Sequence, residues 1–149
     1  MKVAFACDHG GFPAKEKVIS HLENSGYEVK DFGTFSSESC DYPEYAVAVC
    51  KSVLSGESDK GVLICGTGIG MSIVANKIKG IRCAHVTDIF SAEMTRRHNN
   101  TNVIALGARI TETDEIIKLI DKFLTTEFDG GRHQIRVDKI SKIEEVFGK

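Results

Sequence analysis

A cysteine opens a glycine-rich loop near the middle of the chain. The loop, residues 65–72, follows an apolar run and reads Cys65-Gly66-Thr67-Gly68-Ile69-Gly70-Met71-Ser72. Alternating glycines let several backbone N–H groups point into one concavity, and the start of a following helix favours an anion there. The positive potential of these N–H groups and of the helix start also favours the thiolate form of Cys65. The pattern predicts a reactive thiol beside an anion site, and the alternative is a structural turn with a buried cysteine.

The glycine-rich loop matches none of the familiar phosphate-binding loops. A P-loop would carry a lysine after its last glycine, and no lysine follows Gly70. A dinucleotide-binding turn would need a third glycine, and a cysteine phosphatase an arginine, where Met71 stands. A thiol beside backbone donors suits proton transfer next to a carbonyl, because the carbon needs a base and the enolate oxygen needs donors.

Two further polar motifs follow predicted elements. In the run 8–11, Asp8 could accept hydrogen bonds from sugar hydroxyls and His9 could contact an anion, although helix capping explains Asp8 as well. In the run 96–102, His98 could be a general acid near neutral pH, although a histidine at a helix end is more often a cap.

Arginines near the C-terminus could bind a phosphate. Arg132 and Arg136 are four residues apart, on one face of a starting helix, and Arg109 could add a third guanidinium. Guanidinium groups bind phosphate oxygens in pairs, whereas a solvated basic face is the competing interpretation. His21 and His85 have no nearby ligand pattern.

Composition narrows the class of protein. The chain has 149 residues, 42% of them apolar, and a net charge of −2, which argues against a general nucleic-acid binder. The five cysteines show no C-x-x-C spacing, so we expect reduced thiols and neither disulfides nor a zinc site. The first apolar run is too short for a signal peptide, and no run is long enough for a membrane span. These features predict a cytoplasmic protein.

Short apolar runs alternate with segments of helical period. The predicted strands are 3–7, 27–32, 61–65, 81–86 and 103–106, and the predicted helices are 12–24, 42–54, 69–77, 89–97, 113–124 and 135–147. Five β–α steps without a composition shift predict one domain, residues 1–149, with a parallel sheet between helices. In such sheets the ligand site lies beyond the carboxyl ends of the strands.

The motifs together resemble the ribose-5-phosphate isomerase B family, which also includes the galactose-6-phosphate isomerase subunits. The resemblance covers essentially the whole chain and rests on four segments, residues 8–11, 65–72, 97–102 and 130–136. It implies a Rossmann-like α/β/α sandwich with a five-stranded parallel sheet. It also implies a homodimer, often paired into tetramers, whose sites are shared between subunits.

The family interconverts aldoses and ketoses through a cis-enediolate without a metal or other cofactor. By resemblance, Cys65 would carry the proton between C1 and C2, Thr67 would assist, and His98 would open the furanose ring. One branch of the family uses a carboxylate at the position of Met71, so the thiol is the only base that this loop offers. The implied substrate-binding residues are Asp8, His9, Gly66, Gly68, Ile69, Gly70, Ser72, Asn99, Arg109, Arg132 and Arg136.

Three alternatives to a ribose 5-phosphate isomerase stay open. The substrate could be a six-carbon sugar phosphate, because the sequence does not give the depth of the pocket. A regulatory module that binds sugar phosphates without turnover is disfavoured, since binding alone needs neither Cys65 nor His98. A dinucleotide enzyme is disfavoured by Met71.

Overall fold

Five strands alternate with six helices in the part of the chain that the computed structural model describes, residues 1–147. Residues 148–149 of the predicted domain lie outside the described part. The strands are β1 (Lys2–Cys7), β2 (Glu28–Asp31), β3 (Lys60–Cys65), β4 (Cys83–His85) and β5 (Val103–Gly107). The helices are α1 (Phe12–Asn24), α2 (Tyr42–Leu54), α3 (Ile69–Ala75), α4 (Ile89–Asn99), α5 (Thr113–Thr125) and α6 (Arg132–Phe147).

The strands form one parallel sheet in the order β2-β1-β3-β5-β4. Side chains alternate across it: Val3 and Phe5 face a core with α1, α4 and α5, whereas Ala4 and Ala6 face a core with α2 and α3. Both faces are therefore covered, which explains why the strands read as continuous apolar runs. The predicted three-layer α/β/α architecture is confirmed.

The ends of three elements differ from the prediction in ways that affect the site. Helix α4 continues two residues further, to Asn99, and Asn100 then adopts a left-handed conformation with φ of 46°. Helix α6 begins at Arg132, directly after two glycines with positive φ. Strand β4 has only three residues. It does not include Arg82, because the N–H of Arg82 donates to the Asn102 side chain and not to the backbone of a neighbouring strand.

The direction of the chain decides whether a motif lies at the carboxyl ends of the strands, the carboxyl edge of the sheet, or at their amino ends, the amino edge. Residues that follow β1, β3 and β5 lie at the carboxyl edge. Helix α4 starts at the carboxyl end of β4 and returns to the amino end of β5, so His98 lies at the opposite edge. Hydrogen bonds from the Arg82 side chain, just before β4, to the carbonyls of Asn99 and Asn100 fix that placement. None of the helices among residues 1–147 has the length and apolar content that crossing a bilayer requires.

Candidate active site

The glycine-rich loop is clamped against the end of β5. The carbonyls of Cys65 and Gly66 accept hydrogen bonds from the N–H groups of Ala108 and Arg109, both at 2.9 Å. A methyl group on Gly107 would lie 2.5 Å from the carbonyl carbon of Thr67. These two hydrogen bonds hold the start of the loop just beyond the β3–β5 ladder, and only a glycine at 107 lets Thr67 approach this closely.

The Cys65 thiol lies inside the curl of this loop. The residue is 5% exposed, and its Sγ accepts a hydrogen bond from the Gly68 N–H at 3.1 Å. Gly68 has φ of +82°, a left-handed conformation in which the chain turns from the loop into α3. Four N–H groups of the loop have no acceptor among residues 1–147: those of Gly66, Thr67, Gly70 and Met71. The sulfur thus lies beside backbone donors that are open to a ligand.

Two of the other thiols, Cys7 and Cys50, lie in the core, and Cys83 is half-buried against it. Burial raises the pKa of Cys7 to about 12 and the pKa of Cys50 to about 11. Burial also raises the pKa of Cys83, and the nearby Cys50 adds to that rise. Because a raised pKa favours the neutral thiol, these three side chains are poor candidates for a base.

Asp8 and His9 lie next to the glycine-rich loop. A methyl group on Gly10 would be 2.9 Å from the Gly66 nitrogen, so the two turns are in contact. Asp8 Oδ1 accepts from the N–H groups of Gly10 and Gly11 at 2.8 and 3.0 Å, which matches the capping alternative for that oxygen. Its Oδ2 has no partner among residues 1–147. The carboxylate therefore holds its own turn and keeps one oxygen for a ligand.

A backbone contact fixes how His9 can act. Its Nδ1 accepts a hydrogen bond from the Cys40 N–H at 3.2 Å. An imidazole nitrogen that accepts carries no proton, so the proton of the neutral ring is on Nε2. His9 is thereby prepared to donate one hydrogen bond to an anion.

The remaining predicted residues near the loop have different surroundings. Arg109 is exposed and its side chain lies beside Gly66, 3.3 Å from where a methyl group would be. Ile69 is 49% exposed, and its N–H lies 3.4 Å from the Thr67 hydroxyl. The Ser72 hydroxyl donates to the Ile69 carbonyl at 2.8 Å, a contact within α3 that does not need a substrate.

Two contacts of the loop escaped the sequence analysis. The Tyr42 ring lies against Gly70, where a methyl group would be 2.7 Å from the ring. His85 Nε2 lies 2.7 Å from the Thr67 carbonyl. The available signal for His85 was its place at the end of a predicted strand, where side chains meet the ligand edge.

The second polar cluster lies at the amino edge. The rings of His98 and His133 stack at 4.3 Å between centroids, and Arg97 Nε lies 3.1 Å from both oxygens of Asp129. The hydrogen bond with Arg97 lowers the pKa of Asp129. Desolvation lowers the pKa of His133, and the positive charges of His98, Arg132 and Arg136 lower it further.

Three groups of this cluster could hold a metal ion. Ligand atoms of His98, Asp129 and His133 lie within 4.8 Å of one another. The two rings are only 9° from parallel, so their in-plane lone pairs do not converge on one point. Asp129 is moreover paired with Arg97. This geometry favours an anion-binding cluster with flanking arginines over a cation site. The absence of a metal from the reaction stays a prediction.

Within one chain, the predicted site residues form two separate groups. Asp8, His9, Cys65, Thr67 and Arg109 meet at the carboxyl edge. The second group lies at the amino edge, where the Asp129 N–H donates to the Arg97 carbonyl and ties the start of α6 to the end of α4; it consists of His98, Asn99, Arg132 and Arg136. The two groups are complementary, because one holds the thiol and the other most of the guanidinium groups.

Comparison with known proteins places the chain among sugar-phosphate isomerases. The model of the Ribose/Galactose Isomerase family matches residues 3–140. The ribose-5-phosphate isomerase B of Escherichia coli is 48% identical over 144 residues, covering 97% of both chains.

Solved structures agree with that placement. The ribose-5-phosphate isomerase B of Clostridium thermocellum has a TM-score of 0.97 at 47% identity and covers 99% of each chain. That of Mycoplasma genitalium, which has ribulose 5-phosphate bound, has a TM-score of 0.92 at 39% identity and covers 97% of this chain and 96% of its own. The resemblance seen in the motifs is thus confirmed over the whole fold, and this chain belongs to the ribose/galactose isomerase family.

Proposed function

We propose that this protein is a type B ribose-5-phosphate isomerase, which interconverts ribose 5-phosphate and ribulose 5-phosphate. The observation that carries the proposal is the Cys65 sulfur beside open backbone N–H groups at the ligand edge of the sheet. Relatives at 47–48% identity that bear this name support the choice of a pentose substrate.

The Cys65 thiolate is the base of the proposed reaction. It removes the proton from C2 of the open-chain aldose, and the C–H electrons form the C1=C2 bond of a cis-enediolate. The developing charge on O1 is held by the open N–H groups of the loop. The O2 proton passes to O1 with help from the Thr67 hydroxyl, and Cys65 returns its proton to C1 to give the ketose.

The remaining residues bind and prepare the sugar. Asp8 Oδ2 and Asn99 hold sugar hydroxyls, and His98 donates the proton that opens the furanose ring. Arg132 and Arg136 bind the phosphate with Arg109 and His9. The phosphate is bound away from the reacting carbons, and its binding orients the open chain. This orientation lowers the activation barrier although the phosphate contacts do not touch the bonds that change.

A second copy of the chain completes each site. The two residue groups lie at opposite edges of one sheet, so Cys65 and His98 of one chain cannot reach the same sugar. Exposed apolar side chains near both groups support an interface: Ile73 is 56% exposed, Phe90 71% and Ile135 60%. Helix α6 buries only His133 and Val137 among its described residues, which leaves much of its surface for a partner. The proposed assembly is a homodimer.

The cellular setting follows from the same features. The five cysteines form no disulfide among residues 1–147, which suits a reducing compartment, and we place the enzyme in the cytoplasm. The proposed reaction is an internal proton transfer, so it needs no cofactor.

Replacing the thiol tests the proposed base. Cys65→Ala should abolish isomerisation while sugar-phosphate binding, measured by calorimetry, stays close to that of the native protein. Cys83→Ala removes a half-buried thiol at the amino end of β4 and is the matched control. Native-like turnover by Cys65→Ala would overturn the role of Cys65.

A substrate panel tests the proposed sugar. Pentose 5-phosphates and hexose 6-phosphates are assayed with the native enzyme in the presence of a chelator. The expected result is the highest kcat/KM for ribose 5-phosphate. A preference for galactose 6-phosphate would assign the chain to the other branch of its family, which the family description includes.

A further inference from the structure

Within residues 1–147, the His85 side chain makes one hydrogen bond, and its partner is the glycine-rich loop. The residue ends β4, and its Nε2 lies 2.7 Å from the carbonyl oxygen of Thr67. A carbonyl oxygen can only accept a hydrogen bond, so His85 must donate and its Nε2 carries a proton. The ring is therefore held as a donor to a loop that contains the proposed base.

The peptide that His85 contacts is the one that contacts the thiol. The Thr67 carbonyl and the Gly68 N–H belong to the same planar group, and in a trans peptide they point in opposite directions. One end accepts from His85 Nε2, and the other donates to Cys65 Sγ at 3.1 Å. His85, one peptide plane and the sulfur thus form a continuous chain of hydrogen bonds.

This peptide differs from its neighbours in what holds it. The carbonyls of Cys65 and Gly66 are held by backbone N–H groups of residues 108 and 109. The Thr67 carbonyl accepts from no backbone group among residues 1–147, and its partner is the His85 side chain. The hydrogen bond that holds this carbonyl consequently comes from a side chain that can be replaced.

Packing reinforces the hydrogen bond. A methyl group on Gly68 would lie 2.7 Å from His85 Cδ2, so the imidazole edge lies directly against the Gly68 backbone. Gly68 also has a positive φ, with which the chain turns from this peptide into α3. Ring and glycine together leave the peptide little freedom to rotate away from Cys65.

We propose that His85 is a positioning residue for the Cys65 base, acting through the Thr67–Gly68 peptide. By holding the carbonyl end, His85 fixes the plane so that the Gly68 N–H points at Sγ. It also polarises the peptide, since hydrogen bonds in a chain strengthen one another. An N–H donor at the sulfur stabilises the thiolate that the proposed reaction needs. This inference rests on the proposed function for its effect on turnover, but its effect on the thiol is independent of it.

Two substitutions at residue 85 separate the hydrogen bond from the bulk of the ring. His85→Leu fills similar space without a donor. His85→Gln places an amide nitrogen the same number of bonds from Cβ as Nε2, so it can still donate. His21→Leu is the matched control, because His21 pairs with Asp121 on the α1–α5 side of the fold, away from the loop.

Turnover and thiol reactivity are measured on all variants. We expect kcat of His85→Leu to fall about three- to tenfold with KM nearly unchanged, the size of one hydrogen bond. His85→Gln should recover most of this loss. Alkylation of Cys65 by iodoacetamide, followed by mass spectrometry, should slow by a similar factor in His85→Leu at neutral pH, and the deficit should close at alkaline pH. A general loosening of the fold would not produce an alkylation deficit that closes at alkaline pH.

The outcomes are decisive in each case. Native kcat and native alkylation rates in His85→Leu would overturn the proposal, and so would an equal loss in His85→Gln. If no variant, including the native protein, isomerises a sugar phosphate, the proposed function fails, while the alkylation series still decides the role of His85.

Discussion

At the scale of the residue, what each histidine contacts decides what it can do. His9 accepts at Nδ1 from a backbone N–H, whereas His85 donates from Nε2 to a backbone carbonyl. His21 pairs with Asp121 at 2.9 Å. His98 and His133 stack on each other beside arginines. The same residue type thus accepts in one place, donates in another and forms an ion pair in a third, so its neighbours determine which proposed role each histidine can take.

His133 should make the stability of the protein depend on pH. Its pKa is lowered from 6.5 in the folded state, first by desolvation and then by neighbouring positive charges. The unfolded chain therefore binds more protons as the pH falls below about 6.5, and stability is lost in that range. Melting temperatures between pH ~7.5 and ~5.5 should fall more steeply for the native protein than for His133→Gln. Parallel curves for the two proteins would contradict this reading of His133.

At the scale of the element, strand β5 positions the glycine-rich loop. Its last residue, Gly107, pairs with Cys65 in the parallel ladder and lies against the Thr67 backbone. The N–H groups that follow it hold the carbonyls of Cys65 and Gly66. A strand that carries no proposed catalytic side chain therefore determines where the thiol and the open donors lie.

Gly107→Ala should damage both the loop and the fold. The added methyl would meet the Thr67 backbone at 2.5 Å, and backbone on both sides leaves no cheap relaxation. We expect a loss of about 1–3 kcal/mol in the free energy of unfolding. The displaced loop should lose about 10²-fold in kcat.

Gly66→Ala is the control for stability in denaturant titrations. The atoms nearest to its methyl would be those of the Arg109 side chain, from 3.3 Å, and that side chain can move. Equal stability of Gly107→Ala and the native protein would show that β5 does not press on the loop.

At the scale of the whole molecule, the fold separates residues that the proposed reaction needs. The Cys65 group and the His98 group lie at opposite edges of the sheet, and the exposed apolar faces of α3, α4 and α6 accompany them. Association of two copies would cover those faces and bring a thiol from one to the guanidinium groups of the other. In the proposed mechanism, catalysis would therefore require assembly of two copies.

Mixing two inactive variants tests the shared site. Cys65→Ala and His98→Ala each lack one residue of every site in a symmetric dimer. A hybrid dimer has one site with both residues intact, so subunits exchanged at equal amounts should recover about a quarter of native activity. Activity is measured after unfolding and refolding the mixture, with light scattering to confirm dimers. Hybrid dimers without recovered activity would show that each site is built within one chain.

The sequence alone determined the layers of the fold, and it predicted most of the residues of the proposed site. Apolar runs of strand length and segments of helical period are local signals, and they placed α1 and α2 at the residues where the structure has them. Cys65 was identified from its own type and from adjacent glycines, which act through backbone conformation. Such inferences need only neighbours along the chain.

Only the tertiary structure decided which of these residues meet. His85 contacts a loop 18 residues earlier, and His133 stacks on His98 across two helices. Which edge of the sheet a residue reaches depends on the direction of the whole chain, so Arg109 lies with Cys65 while Arg132 and Arg136 lie at the other edge. Spacing in sequence cannot encode these contacts, because packing of the helices on the sheet creates them.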